Sequence, residues 1–164
     1  MENFIENKYA KLSLISVTLT MMITSAHHIY ELGPRLLILI PLLIMMLLPS
    51  VLMLWFKHTG HKVALLAYGL FNAFVITGFG ITDGLLDHTL KAVGPYIGAS
   101  LPGGSEKVVG FSFLSPVAGD YFFEGTGILT FVASMFVAYY GYKFIQAEIR
   151  SWLILRSIPK KQGL

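Results

Sequence analysis

Acidic and histidine residues recur in this sequence in pairs that are separated by four positions. The three pairs are His27 with Glu31, Asp83 with Asp87, and Asp120 with Glu124. Two further histidines, His28 and His88, adjoin the first two pairs. Because residues four apart lie on the same face of an α-helix, each pair points two ligand-type side chains in one direction. Imidazole and carboxylate groups bind Zn²⁺, Mn²⁺ and iron, so the pattern indicates a metal site.

The predicted ligands of this site are His27, His28, Glu31, Asp83, Asp87, His88, Asp120 and Glu124. Carboxylates gathered in this number cannot all remain ionised unless basic partners or a bound cation balance their charge. Arg35 and Lys91 supply part of that charge, and a divalent zinc, iron, manganese or copper ion would supply more. In an enzyme, such a metal would activate water or oxygen while a carboxylate moves protons. The substrate expected from the location is a lipid, an isoprenoid or another small molecule, and the sequence does not decide whether the protein is an enzyme.

Several kinds of site are excluded or disfavoured by what the sequence lacks. The chain has no cysteine, which excludes iron–sulfur clusters, disulfides and thiolate copper sites. No HExxH, P-loop or Rossmann signature is present, so neither a zincin site nor a nucleotide site is expected. His28 and Glu31 stand in the reverse order of the Glu-x-x-His pairs of di-iron bundles. Haem is disfavoured because there is no CxxCH and no histidine deep within an apolar segment.

The composition places these residues in a membrane protein. Of the 164 residues, 55% are hydrophobic and 13% are charged, whereas soluble domains carry about 25% charged residues. A membrane-spanning helix needs about 20 mostly apolar residues. Four windows free of Asp, Glu, Lys and Arg meet that need: Leu12–Tyr30, Leu36–Phe56, Val63–Thr82 and Gly125–Tyr142. The sequence therefore predicts one all-α transmembrane domain over residues 1–164, an integral membrane four-helix bundle with spans at about 12–30, 36–56, 63–87 and 120–143.

Lys and Arg are distributed unequally between the segments that flank these spans. Nine lie in the N-terminus, the second connection and the C-terminal tail: Lys8, Lys11, Lys57, Lys62, Lys143, Arg150, Arg156, Lys160 and Lys161. Three lie in the first and third connections: Arg35, Lys91 and Lys107. Because cytoplasmic segments carry the excess, both termini are predicted to be cytoplasmic, in the cell (inner) membrane, with the acidic pairs facing outward. The formal charge of +3 then anchors the protein to the lipid bilayer, and no nucleic-acid partner is expected.

Polar and small residues form stripes along three of the four predicted helices. At about 100° per residue, the first helix carries on one face Ser13, Ser16, Thr20, Thr24, His27 and Glu31. The third carries Asn72, Gly80, Asp83 and Asp87, and the fourth carries Asp120, Glu124, Gly127, Ser134 and Ala138. The second is Leu, Ile and Met almost throughout. Since polar groups avoid lipid, helices one, three and four should turn their stripes toward one another, with helix two peripheral.

Two further segments complete the predicted architecture. Residues 92–118 form a long extracytoplasmic loop, rich in Gly and Pro, between the third and fourth helices. Loops longer than about 12–15 residues are often functional, so this one is either a lid over the acidic cluster or an ordinary connection. The tail at about 144–158 interleaves Arg150 and Arg156 with apolar residues. It is predicted to be an amphipathic helix that lies along the inner membrane interface.

These features are compatible with three functions. The first is a small membrane metalloprotein or metalloenzyme with an outward-facing site, since ionisable residues at membrane depth are often functional. The second is a cation- or proton-coupled transport subunit, in which the stripe from Ser13 to Thr24 would line a polar path. The third is an accessory structural subunit of a larger membrane complex. Four short helices make a poor pore unless they form a homo-oligomer, and each acidic pair taken alone is also compatible with an ordinary polar helix end.

Overall fold

The computed structural model describes residues 8–90 and 121–157, with side chains up to Ile154 in the last helix. Within these ranges the chain is helical and contains no strand. Helix α1 covers Lys8–Leu32 and helix α2 covers Leu36–Thr59. The third helix begins as α3, Lys62–Phe74, and continues as a π-helix over Val75–Thr89, which we call the π segment. Helix α4 covers Tyr121–Ser157.

Four of these helical stretches are long and apolar enough to cross a membrane. They are Lys8–Leu32, Leu36–Thr59, Lys62–Thr89 and Tyr121–Ile154. The prediction of an all-α protein with four candidate membrane spans is confirmed. The connection predicted at 92–118 lies outside the described residues.

The break predicted near residue 143 does not occur in α4. The helix continues to Ser157, and no Gly or Pro that would end it follows Gly141 in this stretch. Phe144 has no exposed surface, and the ring of Trp152 lies 6.4 Å from that of Phe56, centroid to centroid. The segment predicted at 144–158 is therefore not a separate helix, because up to Ser157 it extends α4 and its first turns still pack inside the bundle. Its position at the inner membrane interface stays a prediction.

The bundle buries polar side chains and exposes apolar ones. Ser13, Thr20 and Thr24 are each 0% exposed. By contrast, Leu36 is 73% exposed and Leu37 is 89% exposed. Apolar surface in water costs about 25 cal/mol per Å², whereas lipid tails solvate it without that cost. The distribution is that of a protein surrounded by lipid.

The polar stripe predicted on α1 faces the interior and packs mainly against α4. The Ser16 hydroxyl donates to the Ser13 carbonyl and the Thr20 hydroxyl donates to the Ser16 carbonyl, each at 2.9 Å. The Ser13 and Tyr68 hydroxyls lie 2.8 Å apart and share a hydrogen bond. A buried hydroxyl without a partner would be costly, so these bonds let the stripe pack tightly against its neighbours.

Helix α2 is the peripheral member of the bundle, as predicted. Its buried residues are Leu42, Pro49, Leu52, Met53 and Phe56. The helix ends at Gly60, whose φ of 64° is left-handed and whose N–H donates to the Phe56 carbonyl at 2.7 Å. This turn is a common helix terminus that glycine adopts without strain. Helix α2 therefore contributes packing at its C-terminal half and leaves the other three helices to form the polar interior.

The π segment and α4 approach each other closely through small residues. A Cβ atom at Gly80 would collide with Ser134, and one at Gly127 would collide with the His88 ring. At Gly84 it would lie 2.7 Å from the Phe131 backbone nitrogen and 2.8 Å from the Gly127 carbonyl oxygen. Two helix backbones touch at this point, which only a residue without a side chain allows. The contact holds the end of the π segment against the first turns of α4.

Candidate metal centre

The third helix changes its hydrogen-bonding pattern before it reaches its acidic residues. The Leu90 N–H donates to the Leu85 carbonyl, five residues back. Two threonine hydroxyls of the π segment likewise donate to carbonyls five residues earlier, at 2.9 and 2.7 Å. In this pattern residues five apart lie above one another, and π-helical turns occur often at functional sites. Asp83 consequently lines up with His88, whereas an α-helix would have paired it with Asp87.

His27 lies at the closed centre of the cluster and is 1% exposed. Its Nδ1 is 2.9 Å from the Thr126 hydroxyl, which itself donates to the Phe122 carbonyl at 2.7 Å. Because that bond uses the hydroxyl proton, Thr126 accepts a hydrogen bond from the Nδ1–H of His27. The Nε2 of His27 then carries a lone pair, and it faces the Asp83 Oδ1 at 3.9 Å.

His88 has the same arrangement on the neighbouring helix. Its side chain has no exposed surface, and its Nδ1 lies 2.8 Å from the Glu124 Oε2. A carboxylate oxygen accepts, so Nδ1 carries a proton, and in the neutral ring Nε2 carries the lone pair. This Nε2 lies 3.5 Å from the Asp83 Oδ1, but it is buried and makes no hydrogen bond.

His28 completes the set from a half-buried position on α1. Its Nδ1 donates to the Thr24 carbonyl at 2.9 Å, and a carbonyl can only accept, so its Nε2 also carries the lone pair. All three imidazoles thus donate from Nδ1 to an oxygen, and in their neutral form each presents a lone pair at Nε2. Metal-binding histidines are held in this way, since the bond at one ring nitrogen fixes both the tautomer and the orientation of the other.

Several carboxylate oxygens at this end of the bundle have no hydrogen-bond partner. In residues 8–90 and 121–154 they are the buried atoms Glu31 Oε1, Asp83 Oδ2 and Asp87 Oδ1. Leaving a buried polar atom unsatisfied costs about 1–3 kcal/mol, and more when the group is charged. These oxygens and the imidazole lone pairs are the donor types that a divalent cation accepts.

Among the residues that the structure describes, two groups of side chains have the geometry of a metal site. His27, His28 and Asp83 form one, and Asp83, Asp87 and His88 form the other, with the ligand atoms of each group within 4.8 Å of one another. Ligands bound to zinc at about 2.0–2.2 Å lie within roughly 4.4 Å of one another. Small side-chain rotations therefore bring either group to bonding distance, so the residues fit a transition metal.

Phe123 and Thr126 belong to the cluster although the sequence pattern did not single them out. The Phe123 ring stacks on His27 with the centroids 4.2 Å apart and meets the edge of His88 at 4.7 Å. Thr126 holds the Nδ1 of His27. The sequence contained a signal for Phe123, because this residue lies four positions before Gly127 and therefore on the same face of α4 as the predicted stripe.

The structure describes all the predicted ligands except Asp120, which lies outside the described residues. Five contribute atoms to the two ligand groups: His27, His28, Asp83, Asp87 and His88. Glu124 orients His88 instead. Glu31 is close enough to His28, Asp83 and Asp87 to interact with them electrostatically. Side chains from α1, the π segment and α4 thus lie together at one end of the bundle.

Comparisons with known proteins add no assignment to this geometry. No protein-family model matches the chain, and neither a curated protein nor a solved structure matches it. The functional interpretation therefore depends on the chemistry of the side chains, which is that of a histidine and carboxylate cluster between three apolar helices.

Proposed function

We propose that the protein is a membrane metalloprotein that binds a divalent transition-metal ion at this cluster. The observation that carries the proposal is the shared orientation of the three imidazoles, each of which donates from Nδ1 and presents a lone pair at Nε2. Two of these lone pairs face the same carboxylate oxygen of Asp83, at 3.5 and 3.9 Å. The lone pairs of neutral rings repel the carboxylate that they face, and a positive charge between them, carried by a proton or by a metal ion, turns the repulsion into attraction.

The donor types narrow the choice of metal. Imidazole and carboxylate without thiolate suit zinc, iron or manganese, and also Cu²⁺, whereas Mg²⁺ and Ca²⁺ prefer sites made of oxygen alone. Two histidines with one carboxylate is also the ligand set of many catalytic zinc and non-haem iron sites. The group formed by His27, His28 and Asp83 has this composition.

The surrounding residues have separate roles in this proposal. A metal ion here would supply Lewis acidity to a bound water or substrate oxygen. Thr126 and Glu124 orient His27 and His88 through their Nδ1 atoms. Glu31, whose buried Oε1 has no hydrogen-bond partner and which belongs to neither ligand group, is suited to accept a proton from such a water. A lipid or other small molecule at the membrane surface is the substrate class that this position favours.

The orientation of the bundle in the membrane also belongs to the proposal. The excess of Lys and Arg in the N-terminus, the α2–α3 turn and the C-terminal tail supports cytoplasmic termini in the cell (inner) membrane. The cluster lies at the opposite end from the α2–α3 turn and so faces the extracytoplasmic side.

Metal analysis of the purified protein tests the proposed function. We expect wild type to retain a transition metal after dialysis, measured by inductively coupled plasma mass spectrometry. His27→Ala and Asp83→Asn should each lose it, because each variant removes a ligand from the first group. His58→Ala is the matched control, since His58 is exposed at the other end of the bundle. Absence of metal from wild type, also after incubation with Zn²⁺, Mn²⁺ and Fe²⁺, would refute the proposal.

A further inference from the structure

We propose that the cluster is a dinuclear centre in which the Asp83 carboxylate bridges two divalent metal ions. His27 and His28 hold one ion, and Asp87 and His88 hold the other. The inference rests on the metal-binding function proposed above and specifies how many ions the site takes.

The arrangement of the ligand groups is the first observation behind this inference. The group from α1 and the group from the π segment share Asp83 and no other residue. Each group by itself offers three ligand atoms within 4.8 Å of one another. Two adjacent triads joined by one carboxylate are the ligand arrangement of a two-metal site, in which the ions lie about 3.5–4 Å apart.

The Asp83 carboxylate is positioned as a bridge. Its Oδ1 lies between the imidazoles, 3.9 Å from the His27 Nε2 and 3.5 Å from the His88 Nε2. Its Oδ2 is buried and makes no hydrogen bond. A carboxylate has about four lone-pair positions on its two oxygens, so both oxygens can bind metal at once. The His27 and His88 rings that flank it are 4.7 Å apart, centroid to centroid, and stand at 84°.

The third observation is the fully buried Nε2 of His88. This atom has no hydrogen-bond partner, although the other ring nitrogen is held by Glu124 at 2.8 Å. It belongs to the second group and not to the first. An ion bound only by His27, His28 and Asp83 would leave this nitrogen with only its 3.5 Å approach to the Asp83 Oδ1. It would also leave the buried Oδ1 of Asp87 without a hydrogen-bond partner. A second ion satisfies both atoms.

The charge of the cluster agrees with two ions. With neutral histidines, the carboxylates of Glu31, Asp83, Asp87 and Glu124 carry one negative charge each. One divalent ion neutralises half of that charge, and two neutralise all of it. Uncompensated charge at membrane depth is costly, so two ions would balance the charge of these four carboxylates more completely than one ion.

Counting bound ions and testing their proximity decides between one ion and two. The full-length protein in detergent is stripped with a chelator and titrated with Mn²⁺ alone, with bound metal measured by mass spectrometry and magnetic coupling by electron paramagnetic resonance. We expect two Mn²⁺ per chain and the exchange-coupled spectrum of neighbouring ions. His28→Ala and Asp87→Asn should each bind half as much Mn²⁺ and give the spectrum of an isolated ion, while His58→Ala should behave as wild type.

The outcomes distinguish this inference from the proposed function on which it rests. One uncoupled Mn²⁺ per chain in wild type would overturn the dinuclear centre and leave the metalloprotein intact. Loss of all binding in both His28→Ala and Asp87→Asn, with circular dichroism showing native helix content, would also overturn it, since the two groups would then form one site. Failure of wild type to bind any Mn²⁺, Zn²⁺ or Fe²⁺ would refute both proposals together.

Discussion

The Nδ1–H of His27 donates a hydrogen bond to the Thr126 hydroxyl, whose own proton is already donated to a backbone carbonyl. The Thr126 hydroxyl donates to carbonyls of its own helix at 2.7 and 3.1 Å and therefore acts only as an acceptor toward His27. The Thr24 carbonyl and the Glu124 carboxylate have the same effect on His28 and His88. The tautomer of each neutral imidazole and the orientation of each ring are thereby fixed before any ligand arrives.

The contribution of Thr126 can be measured directly. Thr126→Val keeps the side-chain shape and removes the acceptor for the Nδ1–H of His27. We expect Zn²⁺ affinity to fall by about 10–100-fold, the usual effect of losing such an orienting bond. Competition with a fluorescent zinc chelator measures the change, and Thr126→Ser should restore most of the affinity.

The control for this variant is Thr77→Val. The Thr77 hydroxyl also donates to a carbonyl of its own helix, at 2.9 Å from the Ala73 oxygen, but it is exposed on the π segment away from the cluster. Equal Zn²⁺ affinity in Thr126→Val and Thr77→Val would show that Thr126 does not orient a metal ligand.

Among the helices, the π segment has the largest effect on the site. Its wider turns bring Asp83 and His88 into line, and the glycines of the same segment bring it into backbone contact with α4. π-helical hydrogen bonding is rare beyond a single turn, and over Val75–Thr89 it coincides with tight packing against α4.

Gly84 is the position in the π segment where an added side chain would meet the backbone of α4. Gly84→Ala places a Cβ atom 2.7 Å from the backbone nitrogen of Phe131, and a backbone atom cannot rotate away. We expect the free energy of unfolding to fall by about 1–3 kcal/mol, the usual cost of overpacking. Thermal unfolding in detergent, followed by circular dichroism, measures the loss, and metal binding should weaken in parallel.

Gly125→Ala is the matched control on α4. A Cβ atom at Gly125 has no neighbour within 4 Å, and alanine favours a helix over glycine by about 0.5–1 kcal/mol. The Tm of this variant should therefore equal or exceed that of wild type. A Gly84→Ala protein as stable as Gly125→Ala would contradict the close backbone contact.

The polar stripe of α1 shows how one helix can serve two purposes. In the N-terminal part of α1, the hydroxyls of Ser16 and Thr20 donate to carbonyls of their own helix and let α1 pack closely against α4. In the C-terminal part of α1, the same face presents His27 to the cluster. The interpretation as a transport path stays a prediction, because the hydroxyl bonds account for the burial of these residues through packing alone.

At the scale of the whole described bundle, polar side chains share the interior with an apolar core, and many large apolar side chains lie on the outside. Leucines that are 73% and 89% exposed at the start of α2 would be unfavourable in water. Lipid reverses that preference, and it also raises the cost of any charge that is not balanced. The cluster therefore lies where its electrostatic interactions are little screened and a bound cation has the greatest effect.

The proposed orientation is testable because the chain has no cysteine of its own. Pro34→Cys introduces a single exposed thiol in the α1–α2 turn, and Thr59→Cys introduces one at the end of α2. A membrane-impermeant maleimide added to intact cells should label Pro34→Cys, and should label Thr59→Cys only after the membrane is permeabilised. The reverse pattern would place the termini and the cluster on the opposite sides from those proposed.

The sequence by itself determined the four apolar helices, the interior face of α1 and the peripheral position of α2. These features follow from hydropathy and helical periodicity, which are local properties of the chain. The same periodicity indicated that His27, Asp83 and Glu124 belong to faces that meet, and the structure places them in one cluster. The sequence also suggested that the fourth span ends near residue 143, because charged residues begin there. The helix nevertheless continues to Ser157.

Only the tertiary structure decided which side chains of the cluster form hydrogen bonds and ion pairs with one another. Whether a backbone N–H donates four or five residues back is a small difference in free energy, and in the π segment the wider turn coincides with the contact of Gly84 with α4. The packing of these two helices places His88 beside Glu124 and Asp83, and it adds Thr126, which no local pattern marks as a ligand partner. Residue types can be recognised in a sequence, but the direction of a side chain depends on the helix packed against it.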